Sequence, residues 1–144
     1  MPIAFATCDL CDAHKADTSG DFRVLPPVFR DFGAVRKFAG PVVTVKCFED
    51  NTLVKAAVDA QGWVDTPAGP VAQVLVVDGC VRDTAELATQ AVGIRALASM
   101  PMPTEKRNQG QAGVAVQVQG VWIRPGDWLY ADEDGIVVSA NALL

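Results

Sequence analysis

Arg82 and Asp83 stand side by side in Gly79-Cys80-Val81-Arg82-Asp83, directly after the apolar run Val74-Leu75-Val76-Val77. A strand that ends in Gly and then presents Arg beside Asp puts a cation and a carboxylate at the carboxyl edge of a sheet. That edge is where open α/β sheets bind ligands. Arg clamps carboxylates bidentately, and Asp holds a hard divalent cation through oxygen. The pair therefore suggests a metal-assisted site for a small anionic oxo-acid. A second reading stands beside it. Asp83, with Glu86 three residues on, matches a capping box, so it could simply start the helix at Thr84 with Arg82 as a solvated partner.

Other groups point less clearly to chemistry. Cys8 and Cys11 form a CxxC, with His14 three residues later; Cys47 and Cys80 are isolated on apparent strand segments. A zinc site needs a second ligand pair, so the cysteines read as small apolar residues of a short helix, with Thr7 available as its cap. His14 is the only histidine, and no nucleophile motif points to it. Asp127, Asp132, Glu133 and Asp134 form an acidic cluster without the full calcium-loop spacing, which predicts turns and solvated carboxylates. Trp122, Trp128 and Tyr130 are expected in the core or at a subunit interface.

The elements that must position these groups belong to one chain of 144 residues, half of them hydrophobic and 20% charged. This is a globular composition with a real core. A net charge of -5 argues against a phosphate-backbone binder, and Glu105-Lys106-Arg107 is too short a charge run to suggest RNA binding. No apolar run approaches a membrane span of about 20 residues. The N-terminus lacks the basic region and long apolar core of a signal peptide. The expectation is a cytoplasmic protein that contacts neither membrane nor nucleic acid.

Along the chain, residues 7–15 read as a short helix and Val42 to Phe48 as a strand. Gly33, Gly40 and Pro41 punctuate a loop. Asp50 or Asn51 caps a helix whose Leu53, Val54, Ala57 and Val58 recur at helical spacing. Gly62 to Pro70 is a loop. Val71 to Val77 is an apolar strand, buried on both faces if parallel. Thr84 to Gln90 reads as helix, Ile94 to Ala98 as a short strand, and Met100 to Gly113 as a long loop. Val114 to Val118 and Val121 to Ile123 flank Gly120 as a hairpin, and Ile136 to Val138 closes the sheet. The pattern is α/β with a β-rich C-terminal part.

Several segments, taken in order, resemble the RraA-like family. They are Phe38-Ala39-Gly40-Pro41, Thr44 to Asn51, Val74 to Gly79, Val81-Arg82-Asp83, Gly93 to Leu97, Gly120-Val121 and Pro125 to Ile136. The likeness covers nearly the whole chain. This family holds the regulator of ribonuclease E activity A and the class II 4-hydroxy-4-methyl-2-oxoglutarate aldolases. The resemblance implies a three-layer α/β/α swivelling domain, assembled as a homotrimer with sites between subunits. It implies a divalent metal, Mg²⁺ or Mn²⁺, held by Asp83, and a small 2-oxo acid substrate bound by Arg82. It further implies aldol cleavage of 4-hydroxy-4-methyl-2-oxoglutarate to pyruvate, with oxaloacetate decarboxylation through the same enolate. The alternative it carries is a non-catalytic regulator that binds and inhibits ribonuclease E. Some members bear the label menaquinone methyltransferase, but no Gly-rich cofactor loop supports that label here. The chain is expected to form a single domain over residues 1–144 that lacks one internal βαβ segment, about 30 residues, near residues 79–80. The Gly-Asp motif of that segment has no counterpart.

Overall fold

The computed structural model describes residues 4–47, 50, 52–61 and 74–144. Eleven strands and three helices lie in these residues. The helices are α1 (Thr7–His14), α2 (Thr52–Gln61) and α3 (Thr84–Leu87). The strands are β1 (Phe22–Val24), β2 (Arg30–Asp31), β3 (Phe38–Pro41), β4 (Val45–Lys46), β5 (Val74–Val81), β6 (Gly93–Ser99), β7 (Gln111–Ala112), β8 (Val116–Val118), β9 (Val121–Ile123), β10 (Trp128–Asp132) and β11 (Gly135–Ser139). The expected α/β class is found, and every element after β6 is a strand.

The larger sheet runs β1-β11-β10-β3 and is antiparallel throughout. Ile136 to Val138, expected to close the sheet, lie on one of its central strands. Their apolar side chains fill both faces: Ile136 and Val138 join Phe38, Leu25 and Ile123, while Val137 joins Phe5, Leu10 and Tyr130. Gly40 and Pro41, expected in a loop, end β3 instead. This is an edge strand, where a proline costs no ladder bond.

A three-stranded sheet, β2-β6-β5, holds the candidate site, and two two-stranded pairs, β4-β7 and β8-β9, take up the remaining described strands. β5 and β6 run parallel, with Val74 opposite Gly93 and Val81 opposite Ser99. The register shifts between Val77 and Cys80, where two residues of β5, Asp78 and Gly79, face one of β6. This is a bulge in the strand that carries the Arg-Asp pair. Val74 to Val77 are half-buried, not buried on both faces as expected. β5 pairs with β6 alone among the described strands, so it lacks the second neighbour that a central parallel strand has.

Other expectations shift by a few residues. The strand expected over 42–48 is shorter: among its described residues only Val45 and Lys46 are in a strand, β4. α3 stops at Leu87, not Gln90. Leu53, Val54 and Ala57 of α2 are half-buried, and the helix packs against β4 and β7. The expected loop at 62–70 and the start of the next strand, 71–73, lie outside the described residues, as do Phe48, Glu49 and Asn51. The β8–β9 hairpin forms as expected. Gln119 and Gly120 at its turn have φ of 48° and 82°, the left-handed pair that a two-residue hairpin needs. Trp122 is exposed on β9, Trp128 is half-buried, and Tyr130 is buried.

Candidate functional site

Because β5 and β6 are parallel, their carboxyl ends open onto one edge. The Met100 N–H donates to the Val81 carbonyl at 2.9 Å, which fixes the exit of β6 beside the residues that follow β5. Arg82 and Asp83 come next. Asp83 takes φ 58° and ψ 40°, a left-handed conformation that Asp tolerates better than most residues. Its carbonyl accepts the N–H groups of Glu86 at 3.1 Å and Leu87 at 3.0 Å, so the backbone starts α3. Its carboxylate makes no cap bond. The capping box expected from Asp83 and Glu86 is therefore not formed, because the left-handed turn uses the Asp83 carbonyl and leaves the carboxylate free of the helix.

The carboxylate lies 3.8 Å from Arg82 Nε, with the two side chains 66% and 50% exposed. A pair this open is worth little to stability. Its groups remain available to a ligand. Among the described residues no three His, Cys, Asp or Glu side chains converge on a metal position. Mg²⁺ does not need such a cage, because it keeps several waters and binds through one or two carboxylates. The free Asp83 carboxylate fits that demand, and Arg82 beside it fits an anionic substrate.

The loop after β6 leaves from the same edge and carries Lys106 and Arg107. Asp50, buried ahead of α2, anchors it by accepting the N–H groups of Arg107 at 2.7 Å and Gln109 at 3.1 Å. Sequence reading offered Asp50 as a helix cap; its bonds to a loop more than fifty residues away left no local signal.

The acidic cluster does structural work. Asp127 pairs with Arg23 at 3.0 Å and accepts the Arg124 N–H at 2.8 Å. Asp132 caps α1 from the far end of the chain, accepting Thr7 N–H at 2.7 Å and Thr7 Oγ1–H at 2.6 Å. Thr7 was expected to be the cap and is instead the capped residue, with Ala6 at the N-cap position. Burial pushes the Asp132 carboxyl up. The hydrogen bonds from Thr7 and from the Asp134 and Gly135 amides outweigh that, and its pKa is lowered.

The RraA-like family model, described as Aldolase/RraA, matches residues 7–65 and 71–138. A protein of Albidiferax ferrireducens, named "Putative 4-hydroxy-4-methyl-2-oxoglutarate aldolase", is 60% identical over 173 residues, spanning 100% of each chain. Two solved structures are similar. The RNA-processing inhibitor RraA from Thermus thermophilis has a TM-score of 0.81 and 31% identity, covering 99% of this chain and 96% of that one. A Geobacillus kaustophilus HTA426 protein, named S-adenosylmethionine: 2-dimethylmenaquinone methyltransferase, has a TM-score of 0.80 and 30% identity, covering 96% and 97%.

Proposed function

The chain belongs to the RraA-like family, and from that premise we propose that it is a divalent-metal-dependent lyase. Its reaction is cleavage of 4-hydroxy-4-methyl-2-oxoglutarate to pyruvate, with decarboxylation of oxaloacetate as a second activity. The observation that carries the reading is the Arg82-Asp83 pair, exposed at the carboxyl edge of two parallel strands with no structural bond from the Asp83 carboxylate to its helix. The name of the Albidiferax relative supports the same chemistry.

Both reactions break a carbon–carbon bond next to a 2-oxo group and leave negative charge on its oxygen. Asp83 would hold Mg²⁺ or Mn²⁺, which supplies Lewis-acid stabilisation of that charge when bound. Arg82 would grip the substrate carboxylate with its planar guanidinium. It orients the reacting bond and adds a fixed positive charge that counts for more in the transition state than in the ground state. The left-handed turn at Asp83 leaves its carboxylate without a bond to α3. The open setting supports a further part of the reading: the site is completed by a neighbouring copy in a homotrimer.

We also infer that one internal βαβ segment is absent near residues 79–80. The Albidiferax alignment runs over 173 residues against 144 in this chain, an excess close to the roughly 30 residues of such a unit.

The test is pyruvate release from 4-hydroxy-4-methyl-2-oxoglutarate and from oxaloacetate, with Mg²⁺, with Mn²⁺ and with EDTA. The expected result is turnover abolished by EDTA and reduced about 100-fold or more in Asp83→Ala and Arg82→Ala. Absence of turnover by the folded wild-type chain would sink the lyase reading. A second reading draws on the name of the Thermus structure, an RNA-processing inhibitor. In it the chain binds ribonuclease E and inhibits it, and Asp83→Ala leaves that inhibition intact.

A further inference from the structure

The Cys8-x-x-Cys11 spacing is not used by the proposed chemistry. Both thiols sit on α1 and line one surface pocket of about 260 Å³, together with Thr7, Asp12, Val24 and Asp134. Cys8 is exposed at its mouth. Cys11 is half-buried against the cluster of Phe5, Leu10 and Tyr130. Cys47 and Cys80 are exposed on other elements, and all four cysteines are free thiols.

Residues three apart on a helix have Cα atoms about 5 Å apart, inside the window that a disulfide spans. Their Cβ atoms, about 5–6 Å apart, need to draw in by roughly 1 Å. Fraying of the first turn, whose leading N–H groups have no partner within the helix, allows that movement.

We propose that Cys8 and Cys11 form a modification site, an intrahelical disulfide made by exchange with a low-molecular-weight disulfide such as oxidised glutathione. The exposed Cys8 thiol loses its proton and attacks one glutathione sulfur. The S–S bond of glutathione breaks, one reduced glutathione leaves, and a mixed disulfide remains on Cys8. Cys11 then loses its proton and attacks the Cys8 sulfur, expelling the second glutathione. Two protein thiols are oxidised and one glutathione disulfide is reduced to two thiols. Asp134 governs the first step. Its Oδ2 lies 3.5 Å from Cys8 Sγ, and that hydrogen bond and negative charge hold the thiol protonated, raising its pKa. Burial does the same for Cys11. Closing so short a loop removes little chain entropy, so the bond is readily reversed and adds little stability.

The reduced full-length protein is incubated with oxidised glutathione, quenched by alkylation and mapped by peptide mass spectrometry. The expected result is a peptide carrying Cys8 and Cys11 that has lost two hydrogens and is restored by dithiothreitol. Cys11→Ser should trap glutathione on Cys8, and Asp134→Asn should speed loss of the Cys8 thiol roughly threefold per unit of pKa released. Stable separate adducts on Cys8 and Cys11, a Cys8 bond to Cys47 or Cys80, or an unreactive Cys8 while Cys47 and Cys80 react would each overturn the proposal.

Discussion

Asp83 and Asp132 are the same residue type in opposite roles, and the difference lies in what donates to each carboxylate. Asp83 accepts nothing from its helix and stays 66% exposed. Asp132 is buried and accepts from the Thr7 side chain and from three backbone amides. Replacing Asp132 with Ala should cost about 2 kcal/mol near neutral pH, as loss of a cap and of bonds to a buried charge does; urea denaturation measures it. The pH dependence has a definite sign. The folded pKa lies below the unfolded value of about 3.9, so the stabilisation is complete above that value. It is lost as pH falls through the folded pKa. The gap between wild type and Asp132→Ala should therefore narrow under acid and close once both states are protonated. The Arg-Asp pair was legible in the sequence because its two partners are adjacent. The role of Asp132 was not, because its main partner, Thr7, lies 125 positions away.

Element by element, legibility followed the range of the interactions. The β8–β9 hairpin was readable because Gly120 supplies φ 82° locally. Nothing lies within 4 Å of where a Cβ would sit there. Gly120→Ala should therefore cost about 1 kcal/mol through backbone conformation alone, seen as a lower melting temperature with the pyruvate-release rate at lower temperature unchanged. The strand β5 was readable from its apolar run, but its half-burial was not, since that depends on which strands flank it. The shortness of β4 had no local signal either. Val42, Val43, Thr44 and Val45 are all β-branched, yet of these only Val45 pairs, because β7 reaches Val45 and Lys46 alone. At Asp78 the β8–β9 turn returns to the bulge, with Gln119 donating from N–H at 3.1 Å and from Nε2 at 2.7 Å. Asp78→Ala should loosen that bulge, and faster hydrogen exchange at Gln119 is the readout.

At the scale of the molecule, Arg95 bolts the three-stranded sheet to the four-stranded one. It lies on β6, pairs with Asp31 of β2 and stacks over the Phe38 ring of β3 at 5.6 Å. It also donates to the carbonyls of Arg36 and of Asp132, the latter at 2.9 Å. Arg95 is 3% exposed, so Arg95→Ala should leave Asp31 without its cation and cost about 3 kcal/mol; a single shifted unfolding transition checks that the sheets still melt together. Composition announced a globular acidic chain, and the long C-terminal motif proved to be the central hairpin of the larger sheet. The pairing of that hairpin with the opposite end of the chain has a consequence for how the protein is made. β1 finds its only described strand partner in β11, and α1 finds its cap in Asp132. The N-terminal segments are made first, yet the strand that pairs with β1 and the carboxylate that caps α1 come far later, 125 positions on in the case of Thr7 and Asp132. The larger sheet therefore cannot close until β11 has been made, and β1 and α1 must hold their places until then.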